Sequence, residues 1–207
     1  GIPYEGDVWD FFTGKAVPKT MVPVGCVLTI PAAGSEGSLS VVISSDGGRS
    51  KLGLNHPILR PAFSIMNPEL TMTLPPYQTA CGVSDMMAHI IERYISNTTE
   101  VELTDRLCEG ALKAIIHEAP RVIADPYDYG ARANLMWAGT LAHSDIMGVG
   151  RQQDWASHRM GHQLSAYFDA AHGASLAVML PAFMRYTLPF GISRYAQFAA
   201  QIGRAHV

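Results

Sequence analysis

Charge is scarce in this chain and unclustered: Asp, Glu, Lys and Arg make up 16% of 207 residues, with fifteen basic against eighteen acidic side chains and a formal net charge of −3. Without a run of Lys or Arg there is nothing to track a phosphate backbone, so nucleic acid is excluded as a partner. Long apolar runs are missing too. Residues 173–184, the longest uncharged apolar stretch, hold about twelve residues including Pro181, well short of the ~20 that a bilayer span requires; no membrane helix and no membrane partner are expected. Cysteines number three, Cys26, Cys81 and Cys108. They are odd in count, widely spaced and in no CxxC pair, which excludes a disulfide framework and predicts buried thiols in a reducing cytoplasm. No basic segment followed by an apolar one opens the chain, so secretion is not indicated. A glycine-rich dinucleotide turn is absent as well, and without it the chain does not carry a complete nucleotide-binding sheet.

What is present is the composition of a folded globular chain, 48% hydrophobic with 13 Pro and 19 Gly, long enough for one large domain or two small ones at ~100 to 200 residues each. Strand signals occupy the first third. Residues 21–30 (MVPVGCVLTI), 39–44 (LSVVIS) and 61–66 (PAFSIM) are β-branched and apolar, the first two separated by a Gly/Ser-rich stretch. Pro75 and Pro76 then mark a break, and proline suits the first turn of a helix. Helical spacing follows over residues 77–96, and Thr99 with Glu102 offers a capping box for a helix running past Pro120. Further helices are predicted from Asp128 to about Ile146, from Asp154 to about Phe168 and from about Gly173 to Tyr186, the last kinked at Pro181, with another begun over residues 193–202. The expected fold is α/β plus all-α: residues 1–74 a partial α/β layer, residues 75–207 a helical domain. Opening at Gly1 and stopping at Val207 in mid-helix, the chain reads as a fragment of a longer enzyme.

Chemistry concentrates in the helical part. Asp85 and His89 are an i,i+4 pair, which places a carboxylate and an imidazole on one helix face. His158 and His162 repeat the spacing, and His172 follows beyond the short Asp169-Ala-Ala loop. A carboxylate and imidazoles from several helices suit a divalent first-row ion. Spacing alone leaves two alternatives open, hydrogen-bonded core histidines and acid/base work without a metal. The zinc-protease motif is excluded, because the position after the first histidine, where a glutamate must act as base, holds Arg159.

Two long signatures narrow the choice. Pro75, Ala80, Gly82, Asp85-Met-Met and Glu92 form one; His158, Gly161-His162, Leu164-Ser165-Ala166 and His172-Gly173 form the other. Together with residues 22–36 upstream, they resemble the iron-containing (group III) alcohol dehydrogenases over roughly residues 20 to 200, nearest the butanol dehydrogenase and aldehyde reductase branch, a dehydroquinate synthase-like architecture. The resemblance implies a metal-dependent, NAD- or NADP-linked interconversion of a primary alcohol and its aldehyde. It implies Fe2+ as the ion, with Zn2+ and a glycerol or polyol substrate as the alternative, and it is compatible with a homodimer. A third reading is a metal-binding helical module without catalysis of its own. Carried onto this chain, the family's ligands fall on Asp85, His89, His158 and His172, while His162 takes a place near the metal without being an obligatory ligand, as a support to a ligand or a proton relay, or else as a hydrogen-bonded wall of the pocket. Thr29, Ser38, Lys51 and Leu70 fall on the cofactor side. Two departures from the family pattern stand there, Ala33 in place of a hydroxyl residue and Asn67 in place of an acidic one.

Overall fold

A computed structural model describes residues 3–44 and 50–203. Both chain ends, Gly1 and Val207 among them, and residues 45–49 lie outside the described residues.

The strands all precede the paired prolines. β1 (Gly25–Val27) pairs in parallel with β4 (Phe63–Ile65), and β2 (Ser40–Ser44) pairs antiparallel with β3 (Lys51–Asn55) in the register Ser40↔Asn55 to Ser44↔Lys51. β3 is not among the strands expected from the sequence: Gly53 and the polar ends of Lys-Leu-Gly-Leu-Asn give it weak strand character, and its pairing with β2 supplies the rest. A short helix, α1 (Trp9–Phe12), precedes the strands, and two single-turn 3-10 segments, Pro57–Leu59 and Pro68–Thr71, link them onward.

From Pro76 on, the described residues form helices: α2 (Pro76–Tyr94), α3 (Glu102–Ala124), α4 (Tyr129–His143), α5 (Ala156–Phe168), α6 (His172–Thr187) and α7 (Ile192–Gln201). This is the expected α/β plus all-α arrangement. α2 is the central member, packed by α3, α4 and α6, with α5 laid on α6. Met86, Ile90, Tyr94, Leu112, Ile115 and Leu176 are fully buried where these helices meet, each contributing ~1.5–3 kcal/mol by leaving water. Two signature glycines make the approach possible. A Cβ on Gly173 would lie 1.9 Å from the carbonyl oxygen of Cys81, and one on Gly82 would lie 2.4 Å from that of Pro31. α6 and the Pro31 loop therefore both rest directly on the backbone of α2.

Several element ends differ from the sequence reading. α3 has no capping box between Thr99 and Glu102: its cap is Val101 without a side-chain bond, and Glu102 is the first helical residue and pairs with Arg106 at 3.0 Å. α4 begins as expected, with the Asp128 carboxylate accepting from the Ala131 N–H at 2.9 Å, but ends at His143 rather than near Ile146, and a 3-10 turn, Asp145–Gly148, follows. α6 begins at His172, so that residue opens a helix instead of closing a loop. Pro120 and Pro181 lie inside α3 and α6. Of the thiols, Cys81 and Cys108 are buried while Cys26 is half-buried; all three are free.

Candidate metal centre

Three elements bring the four signature residues together. Asp85 and His89 occupy successive turns of α2, His158 lies in the first turn of α5, and His172 is the first residue of α6. From Asp85 Oδ1 the Nε2 atoms of His89, His158 and His172 stand at 3.4, 3.6 and 3.8 Å. These separations are too long for good hydrogen bonds, and among the described residues Asp85 Oδ1, His89 Nδ1, His158 Nε2 and His172 Nδ1 are buried without a hydrogen-bond partner.

The partner of His158 explains why two of these orphans, Asp85 Oδ1 and His158 Nε2, face one another. Its Nδ1 hydrogen-bonds Glu92, which is 1% exposed and also accepts from the Ser157 hydroxyl and from the His158 N–H at 3.2 Å. With Nδ1–H committed to a carboxylate, a neutral ring presents a lone pair at Nε2, here toward another carboxylate oxygen. Two acceptors so placed in a buried site need a cation or a proton between them. One oxygen and three imidazole nitrogens are a donor set for a borderline divalent ion, and the residues fit such an ion.

Titration behaviour agrees. Burial opposes charge on Asp85, yet the facing imidazoles outweigh it and hold its carboxyl well below the usual carboxylate range. Burial also works against the cation on His158, but Asp85 and Glu92 overcome it and raise its pKa, a proton standing where an ion would. Burial lowers His89 well below the ordinary histidine value, assisted by His143, and takes His172 down to about 4. These imidazoles are neutral and ready to ligate at neutral pH.

His162 borders the group: its ring is 4.8 Å from that of His172 and 6.4 Å from that of His158, and it is half-buried. The cofactor-side residues sit on separate segments. Lys51 opens β3, and its charge, after burial, lowers the pKa of His162. Ser38 is engaged locally, its hydroxyl accepting from the Ser40 N–H at 2.9 Å, whereas Thr29 and Leu70 are exposed. Of the two departures, Ala33 is exposed, and Asn67 caps the Pro68–Thr71 turn by accepting from the Glu69 N–H at 3.1 Å.

Two residues of the cluster escape sequence reading. Glu92 closes the first signature but carries no visible role there, because its function depends on contact with α5. His143, at the end of α4, has its ring centroid 3.5 Å from that of His89; with no acid or histidine one turn away, nothing in the sequence marks it.

Comparison with known proteins covers nearly all of the chain. It is 42% identical over 185 residues to the NADH-dependent butanol dehydrogenase B of Clostridium acetobutylicum, covering 89% of this chain and 47% of that one. To the NADPH-dependent aldehyde reductase YqhD of Escherichia coli it is 36% identical over 201 residues, 97% of this chain and 52% of the other. The crystal structure of Escherichia coli YqhD superposes with a TM-score of 0.93 at 36% identity, over 98% of this chain and 52% of that one. That of the NADH-dependent butanol dehydrogenase A of Thermotoga maritima gives 0.93 at 40%, over 96% and 50%. The chain thus spans about half the length of the curated relatives it matches. Residues 79–206 match the family model of the C-terminal part of the Fe-containing alcohol dehydrogenases, and it is to this family that the chain belongs.

Proposed function

We propose that this chain is the metal-binding part of an NAD- or NADP-linked oxidoreductase that interconverts a primary alcohol and its aldehyde. The observation that carries the proposal is the convergence of three imidazole Nε2 atoms on Asp85 Oδ1 within 3.8 Å. Asp85, His89, His158 and His172 would hold Fe2+ or Zn2+. When bound, such an ion supplies Lewis acidity toward an alcohol or carbonyl oxygen, while a nicotinamide exchanges the hydride. Glu92 fixes the tautomer and orientation of His158 through Nδ1. His162, half-buried beside His172, is placed to pass the alcohol proton toward solvent at a ring nitrogen. Lys51 is the cofactor-side residue whose field reaches His162 and His172; an ammonium there suits a pyrophosphate or ribose, with Thr29, Ser38 and Leu70 as further contacts. Residues 1–74 would then belong to the nucleotide-binding layer and residues 75–207 to the metal-binding domain. Free thiols suit a cytoplasmic enzyme, and the whole protein would act on small alcohols or aldehydes.

The test is metal analysis of the chain, followed by cofactor reduction with butanol, 1,2-propanediol and glycerol in a polypeptide that supplies both halves of the relatives' length. One tightly held ion per chain and turnover of butanol above the polyols is the expected result. A chain that takes up no divalent ion would overturn the reading; one that binds the ion but supports no turnover in the longer polypeptide would be a metal-binding module only.

A further inference from the structure

The centre has one imidazole more than its signatures account for. His143 is the last residue of α4, and its Nε2 is cut off from solvent without a hydrogen-bond partner among the described residues. Asp85, His89 and His143 each offer a ligand atom, and these lie within 4.8 Å of one another; Asp85, His158 and His172 form a second such triad. The two triads meet at Asp85, so a cation drawn to that carboxylate faces four imidazoles rather than three.

The surroundings hold His143 in this place. Gly34, at φ +63°, lies against it so closely that a Cβ there would sit 2.2 Å from the His143 Cβ and 2.3 Å from its Cγ. The Arg93 guanidinium donates to the carbonyl oxygen of Ala142 and, at 3.2 Å, to that of His89, tying together the backbones that carry the two adjacent rings. A packing role alone does not account for an imidazole here. Burying its ring nitrogen without a partner costs free energy that an aliphatic side chain of similar volume would avoid, and a bound ion removes that cost.

We infer that His143 is a further ligand of the metal centre, so that one divalent ion is held by Asp85 and four imidazoles, His89, His143, His158 and His172. The inference rests on the metal-site reading above. Its chemical consequence is selectivity: a nitrogen-rich donor set favours Co2+, Ni2+ and Zn2+ over the oxygen-seeking Mg2+ and Mn2+.

The experiment loads the chain with one equivalent of Co2+ and records its ligand-field spectrum and its affinity against a competing chelator, for the parent, His143→Leu, His143→Gln and His172→Ala. X-ray absorption of the Zn2+-loaded parent counts the imidazoles directly. The expected results are a shifted spectrum and at least about tenfold weaker binding in His143→Leu, partial recovery in His143→Gln, whose amide oxygen is a poorer donor, and four imidazoles in the parent. An unchanged spectrum in His143→Leu, whether or not affinity falls, would overturn the inference, since packing alone can alter affinity. Should neither His143 variant fold, three imidazoles in the parent overturn it and four sustain it. His172→Ala separates this failure from a larger one. If it too leaves spectrum and affinity unchanged, the metal site itself is misassigned; if it loses the ion while His143→Leu keeps the parent's spectrum, the centre stands without His143.

Discussion

His172 and His162 have ring centroids 4.8 Å apart, and they should fail in different ways when removed. The His172 side chain is 24% exposed and begins α6, so truncating it deletes a donor without opening the helix core. In a polypeptide of full family length, His172→Ala is expected to lose turnover and to weaken ion binding by more than the ~10–100-fold that follows from disturbing a ligand's outer partner, with circular dichroism unchanged. His162→Ala should keep the ion, lower the rate by ~10²–10⁴-fold and displace the pH profile, as expected for a lost proton relay. If His162→Ala shed the ion and His172→Ala retained it, the roles would be reversed. Glu92→Gln probes the outer partner itself. A glutamine amide facing Nδ1 can donate where the carboxylate accepted, which would turn the His158 lone pair inward and its N–H toward Asp85. Binding of Co2+ should fall by ~10–100-fold, measured by chelator competition; undiminished affinity would show that Glu92 does not set the tautomer.

The helices are held in place by a second, fully polar cluster that is separate from the candidate metal site. Asp105 on α3 receives Arg151 at 2.6 Å and Arg194 of α7 through two bonds of 2.6 Å, plus Gln197 at 3.0 Å. The Arg151 side chain is 0% exposed and that of Asp105 5%. Asp105→Asn would leave two buried guanidinium groups short of their counter-charge and should cost ~3–5 kcal/mol of stability. Burial opposes the charge on Asp105, but Arg194 and Arg151 prevail and lower its pKa below the ordinary 3.8. The sign follows: this stabilisation is complete above about pH 4, where the unfolded carboxylate is ionised, and is lost as pH falls through the lower folded value. Denaturant midpoints of parent and Asp105→Asn between pH 5 and pH 2 should therefore converge at the acid end; parallel curves would contradict the mechanism. Such a cluster is also where sequence reading stops. α2 is legible because Pro75 and Pro76 punctuate its start and apolar residues recur with helical spacing through Tyr94, and Asp85 with His89 is legible because a turn of helix relates them. Asp105, Arg151 and Arg194 are joined by tertiary packing, as are His143 with His89 and Glu92 with His158, and no local period encodes those meetings. β3 escapes for the same reason, its strand character being conferred across the ladder by β2.

At the scale of the whole chain, the centre ties α2, α5 and α6 through groups that repel or strand one another until a cation joins them, so folding and ion binding should be linked. A divalent ion at a hundredfold excess over its Kd stabilises the folded state by ~2.7 kcal/mol, which for a chain of this size raises the melting midpoint by about 5–10 °C. His172→Ala should show little of that rise. Acid should undo it in a defined window. In the ion-free chain, burial puts His172 and His143 at about 4 and lowers His89 well below the ordinary 6.5. Between those values the unfolded chain binds protons that the folded chain refuses, so stability declines as pH falls from about 6.5 toward 4. His158 works the other way: Asp85 and Glu92 overcome burial and raise its pKa, so its contribution is full below 6.5 and fades as pH rises through the folded value. With His162 also lowered, four lowered imidazoles outnumber one raised, and the net slope should be positive with pH. Adding the ion steepens it, because each proton on a ligand must leave before the ion can bind. Thermal melts with and without Zn2+ from pH 7.5 to 4.5 test the linkage. The gap between the two curves should be widest at neutral pH and close toward pH 4.5; a gap that stayed constant would mean that the ion is held by groups that do not titrate there, and would move the site away from these histidines.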